Sequence, residues 1–343
     1  MMKKLKSLCR LLSTVLVISL IISGTSLTVL ANEDVTTEES TEEIADIQSE
    51  STVDATENVI VNISKDGNIS YETIPVTSEE SSTYSNEDIV ILNDTPSVLQ
   101  EDDVMATASS NDLQDVSLSF VGFAPYKHMC LITATFPNGT SMDSSGILIS
   151  KNLVLASAHG IYNHERGGAA KHVEIGIGTY FTDSERVAQG GTQSWNGAHL
   201  KTGWTEKQLA QCDWSLIILS QNVSTYEKCG YVPDIENAKG KAIRVIGYPG
   251  IPNIGSVYFK YGTGEITGTT NNIATKEELK NIWKYSIESE EGMSGGPIIE
   301  QSSGLVIGVV KGTVSNILGI QISTVGVPLT KEIADVILEK AIW

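Results

Sequence analysis

Basic residues are scarce in this chain. It has 23 Lys+Arg against 42 Asp+Glu in 343 residues, a formal net charge of −19. That shortage excludes nucleic acid as an expected partner, because phosphate binding needs clustered Lys and Arg. It also argues against docking on an anionic membrane surface. Cysteine is scarcer still, with four residues, none in a CxxC or Cys/His spacing that suggests zinc. His159 and His164 do not form an HExxH pair, so a metalloprotease is excluded and no metal or cofactor is expected. The five histidines are His128, His159, His164, His172 and His199, and none lies beyond 199. No internal repeat at solenoid periods is present. What the chain does have is a 41% hydrophobic fraction, enough for a sizeable core.

The acidity is not spread evenly. Residues 1–31 carry +4, residues 32–106 carry −19 with 20 acids and the one base Lys65, and residues 107–343 carry −4. The first segment reads as a signal peptide: Lys3, Lys4, Lys6 and Arg10 precede the apolar run Leu11 to Ile22, and Val29-Leu30-Ala31 follows with small residues at cleavage positions. The alternative is a membrane anchor, since residues 11–32 are uncharged and long enough to span. Gly24-Thr25-Ser26 interrupts that run. Residues 32–106 are rich in Glu, Ser and Thr and are expected to be a largely disordered pro-segment. Its second half has short apolar patches, including Val59-Ile60-Val61 and Ile69 with Tyr71, which suit a small hairpin around Asp66-Gly67. A solvating spacer is the other reading of this stretch.

Residues 107–343 suit a single all-β, double-barrel domain. Short β-rich runs recur between turn signals: Cys130 to Phe136, Gly146 to Ser150, Leu153 to Ser157, Leu216 to Leu219, Ala242 to Tyr248, Val306 to Val310 and Ile317 to Ile322. Pro137-Asn138-Gly139 and Lys151-Asn152 read as hairpin turns. One helix is expected over 330–341, capped by Thr330, with Ile333, Val336, Ile337 and Ile342 as its apolar face. Once a signal is removed, Cys130, Cys212 and Cys229 remain, an odd count. A Cys212–Cys229 disulfide closing a short loop is the pairing to test.

The chemistry centres on Gly292-Met293-Ser294-Gly295-Gly296-Pro297. A serine flanked by glycines leaves room for a substrate carbonyl and brings backbone N–H groups close to a developing oxyanion. Serine is a weak nucleophile and needs a base, and the base needs an orienting acid. Chain order selects the reading. An α/β-hydrolase needs its His after the Ser, and no His follows Ser294. A subtilisin-like serine at Ser141, in Gly139-Thr140-Ser141-Met142, needs Asp then His before it, and only His128 precedes. The order His, Asp, Ser remains. His159 ends the apolar run Leu153-Val154-Leu155-Ala156-Ser157-Ala158, which places an imidazole at a barrel rim. Asp213 opens Asp213-Trp214-Ser215-Leu216-Ile217-Ile218-Leu219, so a carboxylate leads an apolar strand and is held in place. Asp183 and Asp234 sit in polar, loop-like surroundings and read as solvated.

On these residues the chain resembles the glutamyl endopeptidase branch of the chymotrypsin-like serine proteases. The resemblance runs over most of 112–343. It is carried by Pro125-Tyr126-Lys127, by Ser145-Gly146-Ile147-Leu148-Ile149 with Ala158-His159, by Asp213-Trp214-Ser215-Leu216-Ile217, by Gly247-Tyr248-Pro249-Gly250 and by the serine string. It implies a chymotrypsin-like pair of six-stranded antiparallel β-barrels with a C-terminal helix, the first over about 116–225 and the second over about 235–328. It also implies Ser294 as nucleophile, His159 as base, Asp213 as its orienting acid, and the N–H groups of Gly292 and Ser294 as oxyanion hole. Met293 stands where digestive relatives have an Asp that binds a new N-terminus, and Gly160 stands where several relatives have Cys. The specificity histidine of glutamyl endopeptidases is missing, with Val309 or Val310 in its place. Glu288, Ser289, Val310 and Lys311 are therefore the candidate substrate-binding residues. Lys311 would receive an acidic side chain, whereas Glu288 would receive a basic one.

The expectation is a secreted serine endopeptidase, free or cell-wall associated, acting on proteins or peptides as a monomer without stable membrane association after signal cleavage. The alternative is a non-catalytic adhesin or host-factor-binding protein on a protease scaffold. A structural cell-surface protein using the acidic stretch as a spacer is the third reading. No Lys or Arg lies between Lys65 and Lys127, so a trypsin-like activator has no site near 102–110; Glu101, Asp102 and Asp103 offer acidic-site processing instead.

Overall fold

The computed structural model describes residues 57–75, 112–224, 229–251, 256–272, 279–315 and 321–343. The signal peptide, the first part of the acidic stretch and the acidic processing sites at 101–103 lie outside the described residues. All described residues belong to one compact unit, Val53–Trp343.

The chain enters as a hairpin of β1 (Glu57–Ser64) and β2 (Ile69–Pro75), followed by the short strand β3 (Gln114–Asp115). The first barrel begins with β4 (Met129–Thr135), β5 (Ser141–Leu148) and β6 (Leu153–Ala156). After a ribbon of β7 (Tyr162–Asn163) and β8 (Gly168–Ala169) comes β9 (His172–Ile177). A second ribbon, β10 (Thr179–Phe181) and β11 (Arg186–Ala188), precedes β12 (Thr192–Lys201) and β13 (Ser215–Leu219). These strands run in the order β13-β6-β5-β4-β9-β12, and pairing of β12 with β13 closes the ring.

The second barrel begins with β14 (Ala242–Gly247), and the ribbon β15 (Gly250–Ile251) and β16 (Ser256–Val257) follows it. It continues with β17 (Lys260–Thr269), β18 (Trp283–Tyr285), β19 (Pro297–Glu300), β20 (Val306–Ser315) and β21 (Gln321–Pro328). Its order is β14-β19-β20-β21-β18-β17, closed by β14 against β17, with β3 added on β17. Both rings are antiparallel, so the double six-stranded barrel is as expected. The turn signals also hold. Gly139, at φ +83°, lets the β4–β5 hairpin reverse.

Apolar alternation sorts side chains into three layers. Ile132, Ile175, Leu148, Val154 and Ile217 fill the first barrel. Ile243, Val245, Ile298, Ile307 and Val310 fill the second. A third cluster, including Leu155, Leu216, Tyr248, Phe259 and Val309, joins the barrels to each other and to the last helix. That helix spans Lys331–Lys340 and buries Ile333, Ala334, Val336 and Ile337. Two details differ from expectation. The Thr330 side chain makes no cap hydrogen bond; Asp234 Oδ2, from a distant loop, accepts the Lys331 N–H at 3.0 Å instead. Ile342 lies beyond the helix end and is 46% exposed, so it takes no part in the apolar face.

The hairpin foreseen around Asp66-Gly67 forms, with Gly67 at φ +80°. It does not stand apart from the barrel. β1 pairs antiparallel with β12 from Ile60 opposite Lys201 to Ser64 opposite Gly197, extending the first sheet. Val61 and Ile63 face the first-barrel core, and Ile60 faces the layer between the barrels. A strand buried on both faces explains the unbroken apolar run Val59-Ile60-Val61. Polar groups complete the seam: His199 Nδ1 meets Asn62 Oδ1, Asn62 donates to Glu72 at 2.9 Å, and Lys340 pairs with Glu72 at 2.6 Å.

This seam is expected to weaken in acid. Burial, reinforced by the Lys340 charge and opposed by Glu72 and Glu339, pushes the His199 imidazole down to about 4 from an ordinary 6.5. A folded pKa below the unfolded one means the unfolded chain binds the proton first. The stability contribution of neutral His199 is therefore complete above about pH 6.5 and is lost as pH falls towards 4. Between pH 7 and pH 5 the loss is expected to be about 2 kcal/mol. Urea unfolding at the two pH values measures it, and His199→Gln should flatten the difference.

Candidate active site

Strand pairing brings His159 and Asp213 together. β6 pairs with β13 with Ala156 opposite Ser215, so the residues just after β6 meet those just before β13. The apolar strands anchor in the barrel core, and the polar residues at their ends are carried to the rim. Ser215 Oγ donates to the Ser157 carbonyl at 3.1 Å and ties the two ends. Asp213 then takes two hydrogen bonds from His159. Oδ1 accepts the backbone N–H at 2.9 Å, and Oδ2 meets Nδ1 at 2.8 Å. Asp213 is 0% exposed and His159 is 21% exposed, so the carboxylate is enclosed while the imidazole keeps an open edge.

A third group shares this carboxylate. Lys311, on β20, donates from Nζ to Asp213 Oδ2, the oxygen that meets His159 Nδ1. Burial alone would raise the Asp213 carboxyl. The charges of His159 and Lys311, with their hydrogen bonds, outweigh burial and hold it well below the usual carboxylate range. Asp213 is therefore ionised at any working pH.

Ser294 is supplied by the second barrel in the turn before β19. Gly295 N–H donates to Val310 O at 2.7 Å and Val310 N–H to Gly296 O at 2.8 Å, fixing the turn on β20. The first barrel holds the other side. Ser145 N–H donates to Ser294 O at 2.8 Å, Ser145 Oγ donates to Gly292 O at 2.8 Å, and Tyr248 N–H donates to Ser145 Oγ at 2.8 Å. The glycines are required here. A Cβ on Gly295, at φ +85°, would collide with the Ser145 carbonyl, and one on Gly292, at φ +96°, with the Tyr248 carbonyl. The N–H groups of Gly292 and Ser294 make no hydrogen bond within the described residues. They are left to receive a charged oxygen. Ser294 Oγ donates to the Lys311 carbonyl at 3.0 Å and not to His159. The hydroxyl has to leave that carbonyl before His159 can take its proton.

The structure thus brings His159, Asp213, Gly292 and Ser294 to one rim. It leaves Asp183 exposed in the β10–β11 turn and uses Asp234 as a helix cap. The candidate substrate-binding residues scatter. Glu288 is exposed, consistent with a solvated loop carboxylate. Ser289 is half-buried, with its Oγ enclosed and without a hydrogen-bond partner among the described residues. Val310 is fully buried in the second-barrel core and offers no surface to a substrate, because its side chain alternates inward between Val309 and Lys311. Lys311 is committed to Asp213, so its ammonium is not the free cation the sequence suggested.

No disulfide joins Cys212 and Cys229: Cys130, Cys212 and Cys229 are buried thiols. The physical reason is their packing. Cys212 sits in the first-barrel core against Gly203, while Cys229 lies in the layer between the barrels. Burial pushes the Cys212 thiol up to about 11 and that of Cys229 up to about 12. Both stay protonated and unreactive near neutral pH. A thiol reagent such as DTNB is expected to leave the folded protein unmodified, and dithiothreitol to leave Tm unchanged.

Two residues of the rim, Ser145 and Trp204, escaped the sequence analysis as parts of the site, and Lys311 was given a different role there. Ser145 bridges the barrels, but only as one letter of a motif. Trp204, on the short helix Thr202–Lys207, has its ring 6.2 Å from that of His159 and 4.8 Å from Lys311 Nζ. Lys311 was noticed for its charge alone.

Residues 144–309 match the model of the trypsin-like peptidase domain, a span that contains His159, Asp213 and Ser294. The chain carries a trypsin-like peptidase domain. By that domain it is a serine endopeptidase. The trypsin-like fold is shared with a Glu endopeptidase solved in complex with MPD, at 21% identity and TM-score 0.52, over 66% of this chain and 95% of that one. It is shared equally with protease Anisep from Arthrobacter nicotinovorans, at 17% identity and TM-score 0.52, over 66% of this chain and 97% of the other. At these identities the likeness establishes the fold, and specific roles must come from the site. No curated protein matches the chain in sequence.

Proposed function

We propose that the protein is a secreted serine endopeptidase working through Ser294, His159 and Asp213, with residues 1–31 as export signal and 32–106 as pro-segment. The observation that carries this reading is the enclosed Asp213, which fixes His159 through two hydrogen bonds at the rim where Ser294 is presented. In the reaction Ser294 Oγ leaves the Lys311 carbonyl, gives its proton to His159 Nε2 and attacks the scissile carbonyl. Asp213 keeps the proton on Nδ1, so Nε2 is the basic nitrogen, and stabilises the imidazolium that forms. The N–H groups of Gly292 and Ser294 receive the oxyanion. His159 then protonates the leaving amine, and water hydrolyses the acyl-enzyme by the same path in reverse.

The intact set of groups favours catalysis over a binding role on a protease scaffold. For the residue at the cleaved bond we propose Glu or Asp. Support comes from the resemblance alone, because the Ser289 hydroxyl is enclosed. Lys311 no longer supports it. Digestion of an unbiased peptide library by the purified mature protein tests both statements. Cleavage after Glu or Asp supports the proposal, cleavage after Lys or Arg transfers the pocket to Glu288, and no cleavage of any peptide removes the endopeptidase assignment.

A further inference from the structure

We propose that Lys311 is a positioning residue of the triad: its ammonium shares the Asp213 carboxylate with His159 and thereby sets the lower pH limit of catalysis. The inference rests on the endopeptidase reading above and deepens it.

Lys311 contacts Ser294, Asp213 and Trp204. Its carbonyl receives Ser294 Oγ at 3.0 Å, its Nζ donates to Asp213 Oδ2, and Nζ lies 4.8 Å from the centre of the Trp204 ring, which neighbours His159. The side chain is only 18% exposed, so water screens the charge weakly. The Trp204 face holds the ammonium by a cation–π contact, and the carboxylate holds it by a charge-assisted hydrogen bond. Nothing about this geometry suits a residue waiting for substrate.

The consequence follows from counting charges. With a neutral residue at 311, Asp213 would be an enclosed anion whose whole field favours protonation of His159. With Lys311 in place the carboxylate is already neutralised, and protonating the imidazole puts a second cation on one anion. The Lys311 charge thus opposes a positive charge on the imidazole, and a neutral residue in its place is expected to move the acidic limb of activity upward. Among the described residues no other charge reverses this. Cys212, beside Asp213, is a neutral thiol, and Lys201 is paired with Glu332 at 2.9 Å. His164 is engaged with the Trp204 backbone, with Nε2 3.3 Å from the Trp204 carbonyl, and Glu206 and Lys207 on the same helix are exposed to water.

The test is the pH dependence of inactivation by a fluorophosphonate, which reads the serine and its base without needing a known substrate. It is run on the mature wild type, Lys311→Met and Lys311→Arg. The acidic limb of Lys311→Met is expected to lie about one pH unit above that of wild type, while Lys311→Arg keeps the wild-type limb. Should Lys311→Met fail to fold, Lys311→Gln carries the same expectation, because it keeps a donor for Asp213 and drops the charge. A limb in the folded neutral variant at or below the wild-type position overturns the proposal. Wild type that reacts at no pH would instead remove the endopeptidase reading itself, so the two failures are told apart.

Discussion

Replacement of Ser294 by Ala is expected to lower peptide hydrolysis by about 10⁵- to 10⁶-fold while leaving the fold and the apparent affinity for peptides intact. The size follows from what remains. The N–H groups of Gly292 and Ser294 are backbone and survive the change, so the oxyanion site persists. His159 and Asp213 keep their hydrogen bonds because Ser294 Oγ donates to the Lys311 carbonyl and to neither of them. What is lost is the covalent path, leaving attack by water with residual help from the oxyanion site. Steady-state kinetics on a fluorogenic peptide found by library digestion, with circular dichroism as a folding control, measures the outcome. A loss below tenfold would mean that another nucleophile carries the reaction.

Asp213→Asn comes next in size, with about a 10⁴-fold fall in kcat/KM at neutral pH. The amide presents an N–H where the carboxylate presented an oxygen. If that N–H faces His159 Nδ1, the ring proton is driven to Nε2, and the imidazole can no longer accept from Ser294. The same change strands Lys311, whose ammonium would sit beside a neutral group in a partly enclosed position. Breaking a buried ion pair from one side costs about 3–5 kcal/mol, so Tm should fall together with activity. Adding Lys311→Met to Asp213→Asn removes the stranded cation and is expected to recover much of the Tm and none of the activity. Calorimetry and kinetics on the single and double variants separate positioning of the base from the electrostatic cost. Because Asp213 is held well below the usual carboxylate range, its own protonation contributes to loss of activity only far below neutral pH.

The residues that carry chemistry were legible because each ends or begins a local pattern. His159 closes an apolar strand, Asp213 opens one, and Ser294 sits among glycines that no other residue type replaces without collision. The fold class was legible for the same reason, since alternating runs between turn residues dictate barrel strands. Properties that depend on partners far along the chain were not. Lys311 lies 98 residues from Asp213, and strand alternation says only that its side chain opposes that of Val310. The two thiols at 212 and 229 looked close in sequence, yet they partition into different apolar layers. Asp234 read as a solvated loop acid and instead caps a helix 97 residues away. The hairpin at 57–75 was visible as an apolar interruption in an acidic stretch. Its docking uses the end of β12 from Gly197 to Lys201, where β13 pairs one side and the pairing with β9, which stops at Ser194, leaves the other side open.

That docking bears on the acidic stretch as a whole. β1 lies inside the same compact unit as the barrels, so cleavage near Glu101, Asp102 and Asp103 would sever the covalent link without removing the buried contacts of Ile60, Val61 and Ile63.

Intact-mass and peptide-mapping mass spectrometry of the mature protein after reaction with a fluorophosphonate is the most direct test of the central claim. The structure predicts one adduct, on Ser294, absent in Ser294→Ala and strongly slowed in His159→Ala. A folded wild-type protein that takes up no adduct, or an adduct that persists undiminished in Ser294→Ala, would contradict it.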